Sequence, residues 1–158
     1  MSATIGVKEL IDQLILRSAM LIDRDELDAW LDCFEEDSRY VVMPRENLEL
    51  GLPAAVIYCD SKASLKDRVV CLRHANKFNP HYDRHIVGGA WILSSDKGIV
   101  SVESNFAVVQ TTKTGVSRLF CAGYYRDQIR VSARAAKFVE RVVVLDSFAV
   151  PTLLATPI

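Results

Sequence analysis

Apolar positions in the first third of the chain recur at helical spacing. Val7, Leu10, Ile11, Leu14 and Leu21, with Ser18 among them, follow one another at steps of three and four. That spacing predicts one buried stripe on an amphipathic helix. Asp23, with Glu26 three residues on, predicts an N-cap and its reciprocal partner. A second, short helix comes next with the stripe Leu27, Trp30, Leu31 and Phe34, and the polar run 35–38 ends it. Tyr40-Val41-Val42-Met43 predicts a strand stopped by Pro44. Residues 45–52 are polar and loop-like, and 54–59 is a second extended segment. Asp60 or Ser61 can cap a third helix. Its stripe is Leu65, Val69, Leu72 and Ala75, and Asn79-Pro80 breaks the chain after it.

The period then changes. Residues 84–94, 99–111, 116–131 and 137–148 are rich in Val, Ile, Phe and Tyr. In 99–111, Val100, Val102, Phe106 and Val108 share one face, with Ser101, Glu103 and Asn105 on the other. Alternation of this kind marks a strand with one wetter face. Turn signals at 95–98, 113–115 and 132–136 separate the strands. Helices first, then long antiparallel strands, predict an α+β fold. The sheet is expected to curve strongly with helices on its concave face. Gly88-Gly89 and Gly123 are the candidate bend or bulge points.

Composition adds bounds to this plan. The 158 residues fit one domain, 1–158, and half of them are hydrophobic. Mean hydropathy is +0.14, which points to apolar surface reserved for other subunits. Net charge is -1 and pI about 6.3, so no basic field invites nucleic acid or an anionic membrane. The start, Met1-Ser2-Ala3-Thr4, shows no signal-peptide pattern. Apolar runs such as 53–58 and 142–145 are far shorter than a spanning helix. Cys33, Cys59, Cys71 and Cys121 match no zinc or CxxC spacing and read as buried reduced thiols. These features together predict a cytoplasmic protein.

Candidate chemistry is sparse. A Rieske cluster needs paired Cys and His at close spacing, and no cysteine has a histidine within two residues after it. His81 and His85 are four apart with Asp83 between them. On a helix they could share a metal. On the predicted strand they stand roughly 13 Å apart, too far for one ion. His74 suits a helix C-terminus. Asp28, Tyr40, His85 and Tyr125 could meet in a cone pocket as an acid–base set, but nothing in their spacing requires it. No GxSxG, GxGxxG or GKS/T motif is present. Cys71 has Lys66, Arg68 and Arg73 nearby, read as a solvated helix face. Two aromatic–basic groups stand out: His81, Tyr82, Arg84 and His85, then Tyr124, Tyr125 and Arg126. Their composition suits a subunit interface. A solvated strand edge is the plainer alternative.

An ordered set of segments then carries a resemblance. It runs Trp30-Leu31-Asp32-Cys33-Phe34-Glu35-Glu36-Asp37, Arg39-Tyr40, Asp67-Arg68 and Tyr82-Asp83-Arg84-His85. It continues through Ala122-Gly123-Tyr124-Tyr125-Arg126-Asp127 and Glu140-Arg141-Val142-Val143-Val144-Leu145-Asp146-Ser147. Over nearly its whole length the chain resembles the small (β) subunits of aromatic-ring-hydroxylating dioxygenases. Pro44-Arg45-Glu46-Asn47-Leu48-Glu49-Leu50-Gly51-Leu52-Pro53 and Thr156-Pro157-Ile158 are similar to the salicylate 5-hydroxylase branch. Terephthalate and anthranilate dioxygenase small subunits are near alternatives.

The resemblance implies a cystatin-like, nuclear-transport-factor-2-like cone and a non-catalytic role. It implies a large (α) oxygenase subunit as partner, bearing a Rieske [2Fe-2S] cluster and a mononuclear Fe(II), with no cofactor in this chain. It also implies a β-subunit trimer within an α3β3 hetero-hexamer. Electrons would come from NAD(P)H through a reductase and ferredoxin. The competing readings are a free-standing cone-fold isomerase or dehydratase, and a small-ligand-binding protein.

Overall fold

A computed structural model describes residues 6–74, 80–147, 149 and 154–158. The elements run α1 Val7–Asp23, α2 Leu27–Leu31, β1 Phe34–Pro44, α3 Arg45–Glu49, β2 Ile57–Cys59 and α4 Lys62–His74. Five strands complete the order: β3 His81–Val87, β4 Trp91–Asp96, β5 Ile99–Thr112, β6 Ser117–Val131 and β7 Ala136–Leu145. The sheet order is β2-β1-β7-β6-β5-β3, with β4 also on β5. Every pairing is antiparallel except β1 with β7. The plan is α+β, as the change of period predicts.

The helical stripe of α1 holds and is wider than expected. Ile15, Ala19 and Ile22 join Leu10, Ile11, Leu14, Ser18 and Leu21 in the core, while Val7 is exposed. Asp23 caps nothing. It is the last residue of α1, and the chain reverses through Asp25 in the left-handed region, at φ 59°. The second helix is shorter than its stripe, because Phe34 opens β1 instead. There Phe34 packs at 4.9 Å on Trp30 and 5.1 Å on Phe138. The backbone oxygen of Cys33 accepts the Phe138 N–H at 2.8 Å. Pairing with β7 thus overrides local helical periodicity.

Three further expectations shift. The 45–52 segment contains the short helix α3, and the 54–59 segment is a strand only at its end. The single strand expected over 84–94 is two strands, divided at Gly88-Gly89-Ala90. Ser61 does cap α4: its Oγ accepts the Ser64 N–H at 3.2 Å, and Ser64 Oγ accepts the Ser61 N–H at 3.3 Å. Ala75, Asn79 and Phe148 of the predicted elements lie outside the described residues.

One face of the sheet and the helices enclose the core. Val100, Val102, Phe106 and Val108 are all buried on β5, as alternation requires. Register shifts at 92/94, 108/109 and 128/129 bend the long strands. Gly123 makes a different contribution. A Cβ there would fall on the Val144 carbonyl oxygen, so only glycine lets β6 and β7 approach at this point.

Candidate functional site

The sheet's concave side holds an ion pair that hydrophobic patterning does not reveal. Arg141 on β7 and Asp127 on β6 are direct cross-strand partners. Arg141 Nε and a terminal nitrogen donate to the two Asp127 carboxylate oxygens at 2.9 and 2.7 Å. Both side chains are at most 1% exposed. The guanidinium carbon lies 4.0 Å from the ring centres of both Tyr125 and Phe138. Its other terminal nitrogen donates to Ser18 Oγ at 3.3 Å, and Trp30 Nε1 donates to the same oxygen at 2.9 Å. Burial pushes the Asp127 carboxyl up, with Arg141 pulling against that push.

The rest of the interior is filled as well. Leu154, Ala155 and Ile158 are buried. Tyr40 Oη donates to the Ile158 backbone oxygen at 3.1 Å and accepts its N–H at 3.0 Å. Thr156 Oγ1 donates to Asp83 at 3.1 Å, and Arg68 donates to the Leu154 oxygen at 3.3 Å. Burial raises the phenols of Tyr40 and Tyr125 far above their usual range. It pushes the Cys121 thiol up to about 12. Cys33, Cys59 and Cys121 are buried, but Cys71 is exposed on α4, against the buried reading.

The four residues considered as an acid–base set do not converge. Asp28 is exposed. Tyr40 is held by Ile158. Tyr125 stacks on Phe106 at 4.4 Å between ring centres. His85 Nδ1 bonds Asp23 at 2.6 Å, and both side chains are buried. A cleft of about 540 Å³ near the end of α1 is lined by Asp23, Arg73, His81, Asp83 and Thr156, among others. Asp28, Tyr40 and His85 are not in its lining.

The seven proposed interface residues divide by exposure. Tyr82 and Arg84 project from β3 into solvent, Arg84 lying 3.6 Å from Asp23. His81 is largely covered and sits 3.4 Å from Asp83. On β6, Tyr124 is half-buried beneath Arg126, whose Cζ stands 5.8 Å from the ring centre. Arg126 in turn bonds Glu103 at 3.2 Å. His85 and Tyr125 are buried. Each faces the core, because strand alternation turns it away from Arg84 or Arg126 beside it, so its side chain offers no surface. Sequence reading missed Trp91, which is 74% exposed. It lines a groove of about 600 Å³ with Arg45, Glu103, Asn105, Tyr124 and Arg126.

The residues here do not fit an iron–sulfur or mononuclear iron centre. His81 and His85 lie on one strand and His85 Nδ1 is engaged with Asp23. No group of three His, Cys, Asp or Glu residues among the described ones could hold a metal ion. No helix among them is long and apolar enough to cross a membrane.

Comparison with known proteins places these features in a lineage. Residues 17–152 match the family model described as ring hydroxylating beta subunit. The chain is 40% identical over 137 residues to the anthranilate 1,2-dioxygenase small subunit of Burkholderia cepacia, covering 87% of this chain and 85% of that one. It is 34% identical over 140 residues to the terephthalate 1,2-dioxygenase terminal oxygenase component subunit beta 2 of a Comamonas species, covering 89% and 91%. A solved chain from Novosphingobium aromaticivorans superposes with TM-score 0.87 at 40% identity, covering 96% of each chain. It is described, provisionally, as the beta subunit of an aromatic-ring-hydroxylating dioxygenase. An NTF2-like protein with a cystatin-like fold from the same species gives TM-score 0.63 at 17% identity, covering 89% of this chain and 82% of that one. That likeness speaks for the fold alone.

Proposed function

The chain belongs to the ring-hydroxylating β-subunit family, and on that premise we propose that it supports assembly of an iron-bearing large subunit whose substrate is an aromatic acid. The observation that carries the reading is a family-length match to a cone whose interior is occupied by its own side chains and residues 154–158. Relatives named for anthranilate and terephthalate favour an aromatic carboxylate. Similarity at 44–53 and 156–158 favours a salicylate 5-hydroxylase-like system within that class.

In this reading the large subunit holds the Rieske [2Fe-2S] cluster and the mononuclear Fe(II), which supply electron delivery and dioxygen activation. Reductase and ferredoxin bring electrons from NAD(P)H, and three copies of this chain form a trimer within an α3β3 particle. Of the seven residues proposed for the interface, Tyr82, Arg84, Tyr124 and Arg126 keep exposed or half-buried side chains and are the contacts this reading favours, with His81 partly covered.

Co-expression with a candidate large subunit of the same family tests the proposal. The isolated chain should contain no iron and turn over nothing. The co-purified particle, given its reductase, should carry iron and hydroxylate one of salicylate, anthranilate or terephthalate. Light scattering on the same particle checks the stoichiometry. Iron-dependent hydroxylation by this chain alone would overturn the reading.

A further inference from the structure

Three of the segments that carry the family resemblance, Arg39-Tyr40, Asp67-Arg68 and Tyr82-Asp83-Arg84-His85, each send one side chain to the same place. Tyr40 of β1, Arg68 of α4 and Asp83 of β3 all bond residues 154–158. Tyr40 Oη donates to the backbone oxygen of Ile158 and accepts its N–H, at 3.1 and 3.0 Å. Arg68 donates to the Leu154 oxygen at 3.3 Å, and Asp83 accepts from the Thr156 hydroxyl at 3.1 Å. Leu154, Ala155, Pro157 and Ile158 are buried beside them.

The segment is held as a ligand is held. It lies in no helix or strand. Among the described residues, no backbone–backbone hydrogen bond ties it to the rest of the chain. An element built into a core is fixed by a backbone ladder. A bound ligand is fixed by a few placed polar side chains in a mostly apolar pocket. Residues 154–158 show the second pattern.

The site is also braced without its occupant. The Tyr40 ring packs edge-on against Trp30 at 5.5 Å and Phe34 at 6.1 Å. The second Asp83 oxygen accepts from the Gln110 side chain at 3.3 Å. Such bracing is the pre-organisation that lowers the cost of binding. The occupant fits without filling the site. Arg68 Nε is buried with no hydrogen-bond partner. A narrow gap separates Leu65, Val69 and Leu72 of α4 from Ala155 and Pro157. Cores seldom leave either an orphaned donor or a gap.

We propose that Tyr40, Arg68 and Asp83 form a peptide-binding site, and that residues 154–158 are its attached ligand. The class of ligand is a short peptide, apolar at its first and last positions and bearing a hydroxyl at the third. The attached copy is present at a high effective concentration and keeps free peptides out. This inference concerns the isolated chain and does not rest on the small-subunit reading.

The test uses the full-length chain with Leu154→Asp and Ile158→Asp, which makes the segment too polar for its pocket. A fluorescent peptide copying residues 154–158 is then added, and binding is read by anisotropy. The vacated chain should bind it saturably, at least tenfold more tightly than the wild-type chain, whose site is filled. Adding Tyr40→Phe to the vacated chain removes two hydrogen bonds and should weaken binding by about tenfold or more. A peptide copy with Thr156→Val should also bind more weakly. Should the vacated chain unfold, excess peptide should restore its circular dichroism. Unfolding that the peptide does not reverse overturns the proposal, because the segment is then an inseparable part of the core. A folded vacated chain that binds no peptide overturns it as well. So does binding that is equal in the wild-type chain or unchanged by Tyr40→Phe, which places the peptide elsewhere.

Discussion

Arg141 and Asp127 face each other across β7 and β6 with two hydrogen bonds of 2.9 and 2.7 Å, sealed from water under the rings of Tyr125 and Phe138. Removing one partner of such a pair strands the other charge in a low dielectric. Asp127→Ala should therefore cost about 3–5 kcal/mol, whereas a volume-matched apolar pair at both positions should recover most of it. Chemical denaturation of the two single variants and the double variant reads this. A double variant no more stable than the singles would sink the account.

Alkaline pH should unfold the chain through buried phenols and a thiol. Burial raises the Tyr40 and Tyr125 phenols well above 10.0, and the Cys121 thiol from 9.0 to about 12. The folded values are raised, so the stability these groups confer is fully present below pH 9. It declines above that as the unfolded chain ionises and the native chain does not, by up to about 1.4 kcal/mol per group per pH unit. Of the five tyrosines, Tyr40 and Tyr125 should titrate only as the chain unfolds. Phenolate absorbance followed alongside circular dichroism checks it. Smooth titration of all five in the folded chain is the contrary outcome.

Gly123→Ala should be among the most damaging single-atom-group changes in the sheet. The added methyl meets the Val144 carbonyl oxygen and the Leu145 Cα, both backbone, so β6 and β7 must part. A loss of about 3 kcal/mol or more is expected. Thermal unfolding measures it, with Gly115→Ala as a contrast. That glycine has a left-handed φ of 87° but open space around it, so it should lose less.

Asp23→Ala should loosen the edge at β3 before it unfolds the chain. It strips the acceptor from the His85 N–H and Nδ1, which are then buried without partners. About 2 kcal/mol or more should be lost. Faster exchange of the His85 amide, with little change in the β6–β7 amides, is the expected signature. Uniform acceleration across the sheet would mean that Asp23 supports the whole fold rather than this edge.

The readable parts of this fold were those where burial tracks chain periodicity. The α1 stripe, the Ser61 cap and the buried face of β5 all emerge from spacing, because each is decided by neighbours within a few residues. Phe34 shows the limit. It fits a helical stripe locally, yet a partner more than a hundred positions away draws it into β1. The buried Arg141–Asp127 pair was unreadable for a related reason: a charged residue in a strand signals a solvent face unless its cross-strand partner is known. For the proposed interface residues, composition says nothing of facing, and one-residue alternation on β3 and β6 sends His85 and Tyr125 inward. Trp91 escaped notice because the strand break at Gly88-Gly89-Ala90, which leaves β4 uncovered, is not visible as periodicity.

Asp23 and Asp12, the acids of α1 that accept the His85 and Ala90 N–H groups at 3.0 and 2.8 Å, also set an order in time. Asp23 precedes its partner His85 by 62 residues, so during synthesis the helix leaves the ribosome well before the strand it must guard. The guard is thus ready when the vulnerable edge appears, and β3 need never wait bare among other nascent chains. A bulky fusion that keeps α1 from docking would reverse that order, and its penalty would show first as aggregation during expression rather than as a lower melting temperature.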